Sequence, residues 1–156
     1  MSQANPQKIK LLAMASGGGH WVQLMRLKPV FEGADVTYAS VTPVEQLDVD
    51  PAKYFYFKDV HRFNKHQLIP TVFKVFWMLL KVRPDVMITT GGLPSLITLV
   101  LARHLFRVKT IWIDSIANCE VMSTAGKHAK PHATLWLTQW PELAGEDGPQ
   151  YWGAVL

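Results

Sequence analysis

The chain has 156 residues, of which 49% are hydrophobic and 18% charged. That is enough for a single domain with a substantial core and too little for two. Its formal net charge of +4 favours an acidic partner such as a phosphate or an anionic lipid, and we expect no nucleic-acid partner. The single cysteine, Cys119, excludes an internal disulfide, which fits a cytoplasmic protein.

Residues 1–8 are polar and lack the apolar centre of a signal peptide, so we expect a flexible start and no export by that route. No run of about 20 uncharged apolar residues follows, which argues against a transmembrane helix.

Apolar runs typical of strands alternate with segments of helical spacing along the remainder of the chain. The predicted strands span residues 9–15, 36–41, 54–60, 86–90, 109–113 and 134–138. The predicted helices span residues 21–30, 65–82 and 95–104, with Pro94 placed for the first turn of the last one. This alternation predicts an α/β fold with a Rossmann-like, doubly wound and mostly parallel sheet.

Two glycine turns follow predicted strands at the point where each strand gives way to a helix. One is Ser16-Gly17-Gly18-Gly19-His20, and the other contains Gly91 and Gly92. In an open α/β sheet, phosphorylated ligands bind at the edge formed by the carboxyl ends of the strands. Small residues there admit the ligand, and helix N-termini direct their N–H groups at its negative charge. The turns therefore predict an anionic ligand, although a glycine turn is often only a tight connection. The first turn matches neither the dinucleotide fingerprint nor a P-loop.

His20 strengthens the functional interpretation of the first turn. A histidine where a helix begins, beside glycines that admit substrate, can act as a general base or donate to a phosphate. The structural alternative is a residue that only bonds the neighbouring loop.

The helix predicted over residues 65–82 is apolar on almost every side. Its lysines Lys74 and Lys81 lie seven residues apart and hence on one side of the helix. Such a helix is either buried in the core or partly sunk in a membrane. Basic residues around exposed aromatic side chains are typical of an interfacial helix attracted to anionic lipid.

A series of short motifs carries a resemblance to a known family. In chain order they are Ser16-Gly17-Gly18-Gly19-His20, Thr90-Gly91-Gly92-Leu93-Pro94-Ser95, Ile113-Asp114-Ser115, Gly126-Lys127, Thr138-Gln139-Trp140 and Tyr151-Trp152-Gly153. From about Ile9 to Leu156 the chain resembles the membrane-associated, acceptor-binding subunit of the two-part UDP-N-acetylglucosamine transferases and its bacterial exopolysaccharide relatives. It is similar, more distantly, to the N-terminal half of the peptidoglycan N-acetylglucosaminyltransferase.

The resemblance implies a single domain over residues 1–156, equivalent to the N-terminal half of a GT-B glycosyltransferase. Such a half receives a lipid-linked saccharide acceptor, while a C-terminal-half partner subunit supplies most of the UDP-sugar pocket. The implied activity is transfer of a hexose-type sugar, only with that partner, at the cytoplasmic face of an anionic membrane. No cofactor is implied beyond the UDP-sugar donor, and we predict metal independence because glycine-loop amides and helix N-termini can hold the charge of the leaving group.

The resemblance also implies roles for individual residues. His20 is the leading candidate for the base, with Asp114 as a competing base or as a residue that orients the acceptor. The residues implied to bind substrate and phosphate are Ser16, Gly17, Gly18, Gly19, Thr90, Gly91, Gly92, Ser95, Ser115 and Lys127. Membrane binding falls to Lys65, Phe73, Lys74, Phe76, Trp77 and Lys81. Residues 150–156 form a tail expected to bind the partner through Tyr151, Trp152, Val155 and Leu156, unless it packs on its own domain.

Several alternatives stay open. Gln139 and Trp140 either contact ligand or close the domain edge, and Ser123, Gly126 and Lys127 either lie near phosphate or begin a helix. A non-catalytic membrane adaptor that recruits a separate glycosyltransferase is the second functional hypothesis. A nucleotide-binding oxidoreductase is disfavoured by the consecutive glycines and by the absence of an acidic residue after the second strand.

Overall fold

The structure is a computed structural model that describes residues 8–60 and 65–155. Within these ranges one parallel sheet has the strand order β3-β2-β1-β4-β5-β6-β7. Its strands are β1 (Lys10–Met14), β2 (Asp35–Ser40), β3 (Tyr54–Tyr56), β4 (Val86–Thr89), β5 (Lys109–Ile113), β6 (Leu135–Thr138) and β7 (Gln150–Tyr151). The α-helices are α1 (Gly19–Arg26), α2 (Leu68–Val82), α3 (Leu93–Phe106) and α4 (Thr124–Ala129). The predicted Rossmann-like, parallel α/β fold is confirmed.

The two faces of the sheet have separate cores. On one face Leu12 and Met14 of β1 pack with buried residues of α2, α3 and α4. On the other face Leu11 and Ala13 of the same strand pack around Trp21 and neighbouring residues of α1. Burial on both faces explains why residues 11–14 of β1 are all apolar rather than alternating.

Some element boundaries differ from the predicted ones for local reasons. The helix predicted over residues 21–30 ends at Arg26, and a 3-10 turn containing Pro29 follows. The strand predicted over residues 54–60 ends at Tyr56, because its neighbour β2 ends at Ser40 and Phe57 makes the last bond to it, 2.9 Å from N to O. Strand β7 was not predicted, and helix α4 only as one of two alternatives for Ser123, Gly126 and Lys127, since both elements are short.

Helix α2 is divided between core and surface. Val75, Met78 and Leu79 are buried against the sheet, whereas Phe73 and Trp77 are 65% and 69% exposed. Burial therefore accounts for one face of this apolar helix and leaves an apolar stripe on the other. No helix in residues 8–60 and 65–155 combines the length and the apolar character needed to cross a membrane.

Candidate functional site

Two helices begin at the carboxyl edge of adjacent strands, and both have glycine as the N-cap residue. Helix α1 follows β1 with Gly18 at the N-cap, and α3 follows β4 with Gly92 at the N-cap. Because both N-cap residues are glycine, neither supplies a capping side chain, and neither first turn contains an acidic residue. The N–H groups of both first turns thus lack the usual side-chain acceptor, which makes this edge suited to an anion.

The two glycine loops pack directly against each other. Ser16 donates its backbone N–H to the Gly91 carbonyl oxygen at 3.1 Å. A Cβ at Gly92 would lie 2.5 Å from the Ser16 Cβ, and one at Gly91 would lie 2.8 Å from His20 Cε1. Both glycines also have positive φ, +124° at Gly91 and +101° at Gly92. Only glycine satisfies both requirements at these positions.

Substitution of Gly91 by alanine is expected to destabilise the fold and to displace the His20 ring. The added Cβ meets the imidazole, and the positive φ is strained for alanine, at a cost of about 1–3 kcal/mol. Urea unfolding measures the loss. Gly145→Ala is the matched control, because a Cβ there meets nothing within 4 Å. Equal unfolding free energies for the two variants would contradict the packing described.

The His20 imidazole is held in one tautomer by the second loop. Its Nδ1 lies 2.7 Å from the Thr90 carbonyl oxygen, and the Thr90 hydroxyl donates to the His20 carbonyl oxygen at 2.6 Å. Because a carbonyl oxygen only accepts, Nδ1 must carry hydrogen. The neutral ring then presents Nε2 as its basic nitrogen, and the residue as a whole is half-buried.

Ser95, in the first turn of α3, is fully buried. Its Oγ has no hydrogen-bond partner within the described part of the chain. This unused hydroxyl is a further polar group beside the second glycine loop.

Glu45 supports the first glycine loop, although sequence reasoning did not identify it. Its carboxylate accepts hydrogen bonds from the Gly18 N–H at 3.2 Å and from the Ser40 hydroxyl. A Cβ at Gly17 would meet the Thr42 hydroxyl at 2.0 Å and Glu45 at 3.3 Å. Burial raises the pKa of the Glu45 carboxyl above its ordinary value of 4.5, although both hydrogen bonds oppose the shift.

The raised pKa predicts a specific pH dependence of stability. The folded chain holds the Glu45 proton more tightly than the unfolded chain does, so this group's contribution to stability falls as pH rises above 4.5. Glu45→Gln cannot ionise and lacks this contribution. Between pH 4.5 and 7 the unfolding free energy of the wild type should therefore decline relative to that of the variant. Urea titrations across this range test the expectation, and parallel pH profiles would refute it.

Asp114 directly follows β5 and is buried, and both of its carboxylate oxygens accept hydrogen bonds. Its Oδ1 accepts from Trp112 Nε1 at 3.2 Å and from the Ser123 hydroxyl at 2.5 Å. Its Oδ2 accepts from the Ser123 N–H at 2.7 Å and from Asn118 Nδ2 at 3.2 Å. Ser123 in turn caps α4 by accepting from the Gly126 N–H at 2.8 Å. Ser123 and Gly126 thus begin a helix, and Asp114 anchors it.

The other predicted site residues occupy different surroundings. The Ser115 hydroxyl accepts from Gln23 Nε2 at 3.1 Å, and Lys127 is exposed on α4. Gln139 is buried, and Trp140 donates its indole N–H to the Ile116 carbonyl oxygen at 2.7 Å. This arrangement favours closure of the domain edge by both residues.

The residues predicted to bind the partner differ in their surroundings, since some are exposed and one is hydrogen-bonded within the domain. Tyr151 and Trp152 are exposed, while the Val155 N–H donates to Gln139 Oε1 at 2.8 Å. The tail therefore packs partly on its own domain. Leu156 and the Lys65 side chain lie outside the described residues. Within the described ranges, no group of three or more histidine, cysteine or acidic side chains is arranged to hold a metal.

Comparison with known proteins identifies a relative over nearly the whole chain, although no protein-family model matches it. The chain is 29% identical over 171 aligned positions to the UDP-N-acetylglucosamine transferase subunit alg14 of Schizosaccharomyces pombe. The alignment covers 92% of this chain and 81% of the yeast protein.

Solved structures share the fold at low sequence identity. MurG of Acinetobacter baumannii superposes with a TM-score of 0.70 and 13% identity, over 93% of this chain and 44% of MurG. The UDP-GlcNAc 2-epimerase of Methanocaldococcus jannaschii gives a TM-score of 0.63 and 11% identity, over 83% of this chain and 39% of the epimerase. The chain thus spans less than half the length of either protein. The predicted resemblance is confirmed: this chain is similar over most of its length to the UDP-N-acetylglucosamine transferase subunit alg14, and it shares the Rossmann-like fold of MurG.

Proposed function

We propose that this chain is the acceptor-binding subunit of a split, UDP-sugar-dependent glycosyltransferase that acts in glycan or polysaccharide biosynthesis. The observation that supports it most strongly is the His20 ring, fixed by the Thr90 carbonyl oxygen between two glycine loops. The two uncapped helix N-termini at the same edge support it as well. The likeness to a UDP-N-acetylglucosamine transferase subunit favours N-acetylglucosamine as the sugar.

In the proposed reaction His20 Nε2 removes the proton from the acceptor hydroxyl as its oxygen attacks the anomeric carbon. The bond from that carbon to the diphosphate oxygen breaks, and UDP leaves with the electron pair. Negative charge then grows on the leaving diphosphate, while a diphosphate-linked acceptor carries charge of its own. Fixed N–H groups of α1 and α3 are suited to either charge because they need not reorient during transfer.

We assign the exposed face of α2 to the membrane that carries the acceptor. Ile69, Phe73 and Trp77 are four residues apart and form one apolar stripe, with exposures of 67%, 65% and 69%. Phe76 is exposed beside them. Lys74 and Lys81 stand over the rings of Phe57 and Phe55 at 5.2 and 5.7 Å, which gives the stripe a basic flank toward β3. An apolar stripe beside fixed cations suits the surface of an anionic bilayer.

Replacing both Phe73 and Trp77 by serine is expected to weaken binding to vesicles that contain phosphatidylglycerol by roughly tenfold or more. Co-sedimentation with such vesicles measures the change. Leu47→Ser is the control, since Leu47 is 75% exposed but lies outside α2. Undiminished binding by the double variant would contradict the assignment of α2 to the membrane surface.

The C-terminal segment is the proposed partner surface. Trp152 and the residues up to Val155 border an apolar groove on the face of the sheet opposite α2. Ile88, Ile113 and Leu137 of three adjacent strands line the groove floor. A partner subunit that covers this groove would also cover the exposed Trp152 ring.

The test is sugar transfer from labelled UDP-N-acetylglucosamine to membrane lipid extract. It compares this chain alone, the candidate partner alone and the two co-expressed, each with and without EDTA. We expect transfer only by the pair, and equal transfer with EDTA. Full activity of the partner alone would reject the catalytic proposal and leave an adaptor.

A further inference from the structure

A chain of buried amide side chains connects the C-terminal segment to the first glycine loop. The Val155 N–H donates to Gln139 Oε1 at 2.8 Å, and Gln139 Nε2 donates to Gln23 Oε1 at 2.6 Å. Gln23 Nε2 then donates to the Gly19 carbonyl oxygen at 3.3 Å. Gln139 and Gln23 are only 3% and 6% exposed. Hydrogen bonds thus run without a break from the tail to the first residue of α1.

Side branches fix the orientation of both amides. Gln139 Nε2 also donates to the Asp114 carbonyl oxygen at 2.9 Å. Gln23 Nε2 donates to the Ser115 hydroxyl at 3.1 Å, and Gln23 Oε1 accepts from the Ile116 N–H at 3.1 Å. Rotating either amide by half a turn would place donor against donor and acceptor against acceptor. Both amides therefore have one satisfactory orientation.

We propose that Gln23 and Gln139 are positioning residues that couple the seating of the C-terminal segment to the placement of His20. When Val155 leaves its position, Gln139 Oε1 loses its donor while still buried, which is costly. The network then reorganises at its other end, in the first turn of α1, where His20 follows Gly19. A partner that binds the C-terminal segment would act on the base through these two amides.

That a partner acts on sugar transfer in this way rests on the proposed function. The coupling between the C-terminal segment and the first turn of α1 is a property of this chain, and it is measured on the chain alone. Val155→Pro deletes the N–H that donates to Gln139. We expect amide hydrogen exchange in residues 19–23 and 115–118 to accelerate about fivefold, the factor that one lost hydrogen bond corresponds to. Val155→Ala keeps the N–H and should exchange like the wild type, as should Ala154→Pro.

Gln139→Glu provides a second test with the tail unchanged. The substitution keeps the shape but places an acceptor where Gln139 donates to Gln23 and to the Asp114 carbonyl oxygen. The same two segments should exchange faster while α2 and β3 keep wild-type rates. Wild-type exchange in both variants, or a uniform increase throughout the chain, would overturn the coupling. Absence of transfer by the wild-type pair would reject the proposed function and leave the exchange result standing.

Discussion

Replacing His20 by alanine is expected to lower transfer by the co-expressed pair by about 10²- to 10⁴-fold, the usual contribution of a general base. The reason is geometric. Nδ1 is committed to the Thr90 carbonyl oxygen at 2.7 Å, so Nε2 is the nitrogen left to accept the proton. The kcat of the purified pair, measured with saturating UDP-N-acetylglucosamine, gives the effect.

His20→Asn separates the role in transfer from the role in the fold. The asparagine amide can still donate to the Thr90 carbonyl oxygen, but it offers no basic nitrogen. We expect near wild-type stability and association, with a kcat as low as that of His20→Ala. Retention of wild-type kcat by His20→Asn would exclude His20 as the base.

Asp114→Ala is expected to destabilise the chain by about 3 kcal/mol or more, since it removes the acceptor of several buried or half-buried donors at once. The affected donors are Trp112 Nε1, Asn118 Nδ2 and both the N–H and the hydroxyl of Ser123. The loop after β5 and the start of α4 then lose their anchor. Urea unfolding of the isolated chain measures the loss.

Asp114→Asn distinguishes an anchor from a base at this position. The amide keeps one acceptor but turns an NH₂ group toward the Ser123 donors, so an anchoring role again predicts reduced stability. A base would behave differently, with kcat lost and stability retained. Loss of kcat with stability retained would make Asp114 a candidate for the base in place of His20.

The placement of the candidate site followed from the sequence because it depends on local signals. Apolar runs ending in glycine predicted β1 and β4, and parallel strands bring their carboxyl ends to one edge of the sheet. Both glycine turns were therefore expected at that edge, and the structure places the His20 ring of the first against Gly91 of the second.

The supporting contacts were beyond sequence reasoning because they join residues far apart in the chain. Glu45 reaches Gly18 across 27 positions, and Gln139 reaches Gln23 across 116. No periodic pattern in the sequence predicts either contact. The sequence also left helix α2 undecided between core and surface, because an apolar helix has the same composition in either place.

The glycine-loop site is tested most directly by locating a diphosphate-bearing acceptor on the chain. The chain would be labelled with ¹⁵N, paired with its unlabelled partner and titrated with a short-chain prenyl diphosphate saccharide. We expect the largest amide shift changes at Gly17–Gly19 and at Gly91–Leu93. Changes confined to the opposite edge of the sheet, where Lys10 and Lys53 line a basic pocket, would contradict the site.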